Sequence, residues 1–215
     1  MTINYLVIEG NIGSGKTTLS KMIAERFQAR MLLEGFENNP FLPRFYKEPE
    51  KYAFPLEMSF LADRYNQLSK NIAHLELFSP FLVSDYYFIK SLIFAQNTLS
   101  NDEYQLYSRF FNIIYDKIPN PDLYVYLHAD TGKLARQIKK RGRDYEQTID
   151  SAYLEKIENG YFSFFKQEQD FPVLVIDTNK LDFVRNENDF DLLMKLIFEK
   201  PYGCGLNRVL IDQKS

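Results

Sequence analysis

The chain has 215 residues, enough for one α/β domain to bury a full core, and its lone Cys204 excludes a disulfide framework within the chain. A formal net charge of −3 gives no general basic field, which argues against a nucleic-acid partner. No run approaches the roughly 20 apolar residues that span a bilayer, and no charged leader precedes the first apolar run. The expectation is a cytoplasmic protein without a membrane partner.

Residues 4–8 form a short apolar run suited to a buried parallel strand. Directly after it, Gly10, Asn11, Ile12, Gly13, Ser14, Gly15, Lys16 and Thr17 fit the pattern G-x-x-x-x-G-K-[ST]. Leu19, Met22, Ile23 and Phe27 then fall on one helical face. Strand, glycine-rich loop and helix together are the context in which this pattern, the P-loop, cradles phosphate: backbone N–H groups point inward and the helix adds its positive dipole end. Lys16 is placed to reach β- and γ-phosphates, and the Thr17 hydroxyl to ligate Mg²⁺, with Thr18 the lesser candidate. The expected ligand is ATP with Mg²⁺.

Further apolar runs lie at 30–33, 81–84, 123–128 and 173–176, with helical patterns between them. This order predicts a five-stranded parallel sheet with helices on both faces, in one domain over 1–215. In such sheets ligands lie beyond the carboxyl ends of the strands, which singles out Glu9, Glu34, Asp85, Asp130 and Asp177.

Between the second and third strands, residues 39–46 read as a loop turning into a short helix, 47–52 as a break and 54–72 as a long helix. On that helix Glu57 and Arg64 share a face with Phe60 and Leu61. A flanking salt bridge and a pair of ligand contacts satisfy that spacing equally. Residues 85–99 and 101–118 read as consecutive helices, the second capped by Asn101, with apolar faces broad enough for a helix-to-helix dimer interface. A helix over 131–140 runs into Arg141-Gly-Arg-Asp-Tyr-Glu146, and the clustered Arg136, Lys139, Lys140, Arg141 and Arg143 read as an arginine lid over the triphosphate. One more helix is expected over 153–166.

Asn179-Lys180-Leu181-Asp182 matches the N-K-x-D of guanine-reading switches, but residues 85–88 lack the glycine that the D-x-x-G of such a switch requires. The loop is instead read as lying over the purine ring of the triphosphate. His74 and His128 have no metal-ligand spacing and are read as structural.

The carboxylates bear on the acceptor. A nucleoside monophosphate needs arginines around its dianion, whereas Glu34, Glu37 and Asp85 near the strand ends suit a neutral hydroxyl whose proton a carboxylate can take. At this point the chain resembles the deoxyribonucleoside kinase family over nearly its whole length. The likeness is carried by the loop from Ile8 to Thr17, Glu34, Tyr46 followed by Glu48, Tyr52 and Phe54, Arg64, Asp85, Arg141-Gly-Arg143 and Asp182-Phe183. The resemblance implies a P-loop kinase fold and a homodimer. It makes Glu34 the base at the 5′-hydroxyl, places Tyr46 and Glu146 on the 3′-hydroxyl, Glu57 and Arg64 on the nucleobase, and Asp85 near Mg²⁺ and the acceptor. Arg141 and Arg143 clamp phosphates, and Asp182 and Phe183 line the donor nucleotide.

Three departures from that family stand out. Gly35 follows Glu34 where Pro is frequent, Tyr86 stands where an Arg commonly follows the acidic residue after the third strand, and Glu57 replaces a frequent Gln. A carboxylate only accepts hydrogen bonds, and guanine offers two adjacent donors, N1–H and the N2 amine, so Glu57 points to deoxyguanosine. The alternatives are a deoxyadenosine or broad-specificity kinase, a nucleoside monophosphate kinase, and a regulatory nucleotide switch.

Overall fold

The structure is a computed structural model and describes residues 3–35, 39–72, 80–143, 146–147, 149–209 and 211. Along the chain, β1 (Tyr5–Gly10) leads into α1 (Lys16–Phe27), and β2 (Arg30–Leu32) is followed by α2 (Leu42–Phe45) and α3 (Pro49–Ile72). Next come β3 (Leu82–Ser84), α4 (Lys90–Thr98), α5 (Asn101–Tyr115) and β4 (Leu123–His128). The remainder is α6 (Thr131–Arg141), α7 (Ser151–Gln167), β5 (Pro172–Asp177), α8 (Glu187–Phe198) and β6 (Gly205–Val209).

The strands form one parallel sheet in the order β2-β3-β1-β4-β5-β6. It has six strands among the described residues, where five were expected. The sixth, Gly205–Val209, is an edge strand and mixes Asn207 and Arg208 with its apolar residues, so it shows no apolar run. Strand alternation divides the core in two. Tyr5, Val7, Tyr124, Tyr126, Val173 and Val175 face one cluster, which also holds Leu61, Ile93, Phe111 and Phe165 from α3, α4, α5 and α7. Leu6, Ile8, Leu123, Val125, Leu127, Leu174 and Ile176 face the other, beneath Leu19 and Ile23 of α1 and Leu193 and Ile197 of α8. The first layer holds most of the buried rings, among them Phe88 stacked on Phe111 with centroids 5.0 Å apart.

Several boundaries differ from expectation. The break expected over 47–52 is confined to residues 46–48: α3 begins at Pro49, a residue whose fixed φ suits a first helical turn, and continues through Pro55. Residues 85–89 precede α4 instead of opening it, because the Asp85 side chain bonds the Glu34 N–H and the Thr17 hydroxyl. The cap of α5 is Ser100, not Asn101: the Ser100 N–H and hydroxyl both donate to Glu103, at 3.0 and 2.8 Å. One close crossing sets the position of α4 against α7. At Gly160 a Cβ would lie 2.8 Å from Ile93 Cγ2.

Strand order reverses around β1, whose neighbours β3 and β4 lead to opposite halves of the sheet, and a crevice opens at such a switch point. The residues beyond the carboxyl ends of β1, β2 and β3 converge there.

Candidate active site

The turn from β1 to α1 holds Gly13 and Gly15 at φ 84° and 89°, in the left-handed region that glycine enters without strain. A Cβ at Gly13 would come within 2.9 Å of the Leu134 carbonyl, and one at Gly15 within 3.0 Å of the Phe183 ring. The loop is therefore packed between α6 and the 182–183 segment. Asn11 fastens its far side, donating to the Leu154 carbonyl at 2.7 Å. Lys16 reaches back over the loop to the Asn11 carbonyl at 3.2 Å, and burial together with the charge of Lys90 lowers its pKa to about 8. A nearby phosphate would reverse that shift, because an anion favours the charged form.

Asp85 joins three elements. It accepts the Thr17 hydroxyl at 2.5 Å from α1 and the Glu34 N–H at 2.8 Å from the end of β2. The Thr17 hydroxyl donates its hydrogen bond to Asp85, so the lone pairs of its oxygen stay available to a cation, with the Asp85 charge behind it. These residues fit Mg²⁺, which takes few protein ligands and completes its shell with water and phosphate oxygens. Among the described residues no group of three or more His, Cys, Asp or Glu forms a protein-only metal cage.

Glu34 is gripped from two sides. Arg64 of α3 donates to Oε1 from Nε at 3.0 Å and from Nη2 at 2.6 Å, while Lys90 at the start of α4 donates to Oε2 at 2.5 Å. Burial alone would raise the Glu34 pKa, but Lys90 and then Arg64 outweigh it and hold the carboxyl at about 2. The third Arg64 nitrogen donates to Ser91 at 2.8 Å, so the hydrogen bonds of Arg64 run to Glu34 and Ser91 and not to Glu57. The flanking salt bridge that the spacing allowed is absent from this pair.

Glu57 stands deeper on α3, buried, with Oε1 accepting the Thr98 hydroxyl at 2.8 Å. Its Oε2 has no hydrogen-bond partner among the described residues. Burial raises its pKa to about 7, against the opposing pull of Arg64. Tyr46, Phe45, Phe60, Phe94 and Tyr153 line the same cleft, which runs to Lys16 and Thr17 and encloses about 860 Å³ when its open mouth is included.

At the other end of the cleft, Arg141 and Arg143 both point to Glu146. Arg141 bonds Oε2 through Nε at 3.0 Å and also through Nη2, and Arg143 bonds Oε1 at 3.2 Å. The basic cluster is thus not wholly solvated. Lys139 and Lys140 lie on the outer helical turn, and Gly142, at φ 73°, ends α6. Phe183 is buried against the P-loop, while Asp182 accepts the Arg185 N–H and is exposed. Asn179 of the N-K-x-D match accepts the Asp130 N–H at 2.8 Å and so ties the turn after β4 to the loop after β5. His128 pairs with Glu158 at 2.7 Å, away from the cleft, and Glu37 and His74 lie outside the described residues.

Sequence reasoning missed Lys90, Thr98, Phe94 and Tyr153. Lys90 left one signal: it is a lone cation between Phe88, Ile89, Leu92 and Ile93, where no solvated face exists to receive it. Tyr86, standing where the resembling family has Arg, is buried with its hydroxyl on Gln67 at 2.8 Å, so Lys90 supplies the second cation at Glu34.

A sequence model of the deoxynucleoside kinase family matches residues 6–200. The chain belongs to the deoxynucleoside kinase family. The deoxyguanosine kinase of Bacillus subtilis is 37% identical over 194 residues, covering 88% of this chain and 94% of that protein. The deoxyadenosine kinase of Lactobacillus acidophilus is 29% identical over 216 residues, covering 94% of this chain and 99% of its own. Among solved structures, the M. mycoides deoxyadenosine kinase with bound dATP superposes with a TM-score of 0.76 at 28% identity, covering 89% of this chain and 97% of that one. The same enzyme with products dCMP and dCDP gives 0.78 at 29% identity, with 91% and 99% covered. This deoxynucleoside kinase therefore has relatives named for either purine.

Proposed function

We propose that this deoxynucleoside kinase transfers the γ-phosphoryl group of ATP, with Mg²⁺, to the 5′-hydroxyl of a purine deoxyribonucleoside and prefers deoxyguanosine. One observation carries the preference: a buried carboxylate, Glu57, holds one oxygen on Thr98 and leaves the other unpartnered at the apolar end of the acceptor cleft. Guanine presents N1–H and N2–H donors side by side to such a group, whereas adenine presents one donor beside an acceptor. The B. subtilis relative, named a deoxyguanosine kinase, supports the same reading.

In this reading the P-loop N–H groups and Lys16 hold the triphosphate, and Thr17 with Asp85 would hold Mg²⁺, whose charge would help to neutralise the triphosphate. Tyr46 and Glu146 take the 3′-hydroxyl, and Arg141 and Arg143 turn from Glu146 toward phosphate. Phe183, with Asp182, borders the donor nucleotide. The 5′-oxygen attacks the γ-phosphorus, the bond to ADP breaks, and Glu34 receives the hydroxyl proton. A carboxyl held near 2 is a weak base, yet it suffices here. An alcohol oxygen that has begun to bond to phosphorus holds its proton feebly, so the step needs correct placement more than basicity.

The test is ADP release from Mg·ATP with each deoxynucleoside, with dGMP, and with no acceptor. Deoxyguanosine giving the highest kcat/KM supports the proposal. Release driven only by a monophosphate would overturn the Glu34 assignment, and release without any acceptor would favour a hydrolytic switch.

A further inference from the structure

The grip on Glu34 has a consequence for the charge balance of the reaction. A carboxylate offers about four lone-pair sites. Arg64 fills both on Oε1 and Lys90 one on Oε2, which leaves a single site on Oε2, beside Lys90, for the acceptor hydroxyl. Lys90 is buried and lines the same cleft as Lys16, Thr17 and Asp85, so its ammonium sits at the end of the acceptor site that faces the phosphate-binding residues.

We propose that Lys90 is a positioning residue whose charge is handed from Glu34 to the newly formed 5′-phosphate as the proton moves. Before transfer the ammonium pairs with the Glu34 carboxylate and fixes Oε2 against the 5′-hydroxyl. During transfer the O–H bond breaks and its proton binds Glu34. A new bond joins the 5′-oxygen to phosphorus, and the electron pair of the broken P–O bond leaves with ADP. Glu34 is then neutral, and the anion that faces Lys90 is the phosphate of the product monophosphate. The cation stays in place while its counter-charge changes identity. Because the two states differ in what Lys90 pairs with, it acts on turnover and product affinity more than on nucleoside affinity. The inference rests on Glu34 being the base but not on which nucleobase is preferred.

The experiment compares Lys90→Met and Lys90→Arg with the parent and with Glu34→Gln, for deoxyguanosine and deoxyadenosine alike. Lys90→Met should lower kcat roughly 10²-fold, as does loss of a donor aimed at developing charge. KM for the nucleoside should stay within about threefold, and dGMP affinity should drop by about tenfold or more. Lys90→Arg should recover most of the turnover and of the dGMP affinity. If Lys90→Met does not fold, Lys90→Gln, which keeps a donor but no charge, takes its place in the same three measurements. A folded neutral variant with unchanged kcat and unchanged dGMP affinity would overturn the proposal. Near-normal activity in Glu34→Gln would instead remove the base assignment beneath it.

Discussion

On the proposed reading, Glu57 is a titrating group at the nucleobase end of the cleft. Burial raises it to about 7; Glu34 on the end of β2 adds to that, Arg64 on its own helix and Lys90 on α4 oppose it, and Tyr107 and Tyr153 face it from α5 and α7. Below that pH the side chain is mostly a carboxylic acid, which donates to adenine N1 and accepts from N6. Above it the carboxylate accepts twice and suits guanine. The ratio of kcat/KM for deoxyguanosine over deoxyadenosine should therefore rise roughly tenfold or more between pH 6 and pH 8, and Glu57→Gln should flatten that rise. A ratio insensitive to pH in the parent enzyme would mean that no titrating group reads the base. Glu34→Gln should reduce kcat about 10²- to 10⁴-fold with nucleoside Kd nearly unchanged, by equilibrium binding and steady-state rates; the same pattern in Asp85→Asn instead would transfer the proton-accepting role. Glu34 and Asp85 were legible because each sits just past a strand, where topology dictates the site, and Lys16 because it belongs to the P-loop pattern. Lys90 and Thr98 were not, because their importance comes from which side chains α4 meets across space.

At the scale of elements, the phosphate loop is braced by its neighbours as much as by its own glycines. Gly13 lies against the backbone of α6, which cannot retreat as a side chain would. Gly13→Ala also forces a strained backbone angle, so its KM for ATP should rise at least roughly tenfold, with deoxynucleoside affinity altered far less. Isothermal titration with each ligand separates the two effects. Strands β1 to β5 were readable from apolar runs because a sheet covered on both faces demands them. The end of the chain was read less well. Phe190, Leu193, Met194 and Ile197 recur at helical spacing and mark α8, whereas β6 is half-exposed and its apolar signal is diluted by polar residues. The start of α3 was hidden by two prolines, although Pro49 stands where a helix tolerates it.

For the whole molecule, α5 leaves Leu106, Phe110 and Ile113 exposed along one helical stripe, Ile113 at 63%. We propose that this stripe pairs with a second copy of the chain, as its breadth in the sequence suggested. Light scattering should then give twice the 25.4 kDa of one chain, and Ile113→Glu should halve that mass with the fold intact. A parent protein already at the mass of one chain would refute the pairing.

The crossing of α7 over α4 bears on any attempt to toughen this enzyme. Replacing helical glycines with alanine is a familiar route to thermostability, since each exchange lowers the freedom of the unfolded chain. Gly160 would rank high in such a scheme, being inside a helix and remote from the cleft. Yet its added methyl would push on Ile93, and α4 carries Lys90 at its first position and Thr98 at its last. Overpacking of this kind costs about 1–3 kcal/mol, more than the roughly 0.4–1 kcal/mol gained, so the exchange should yield a protein that melts earlier and also turns over poorly. An engineer choosing positions by distance from the substrate would never see why.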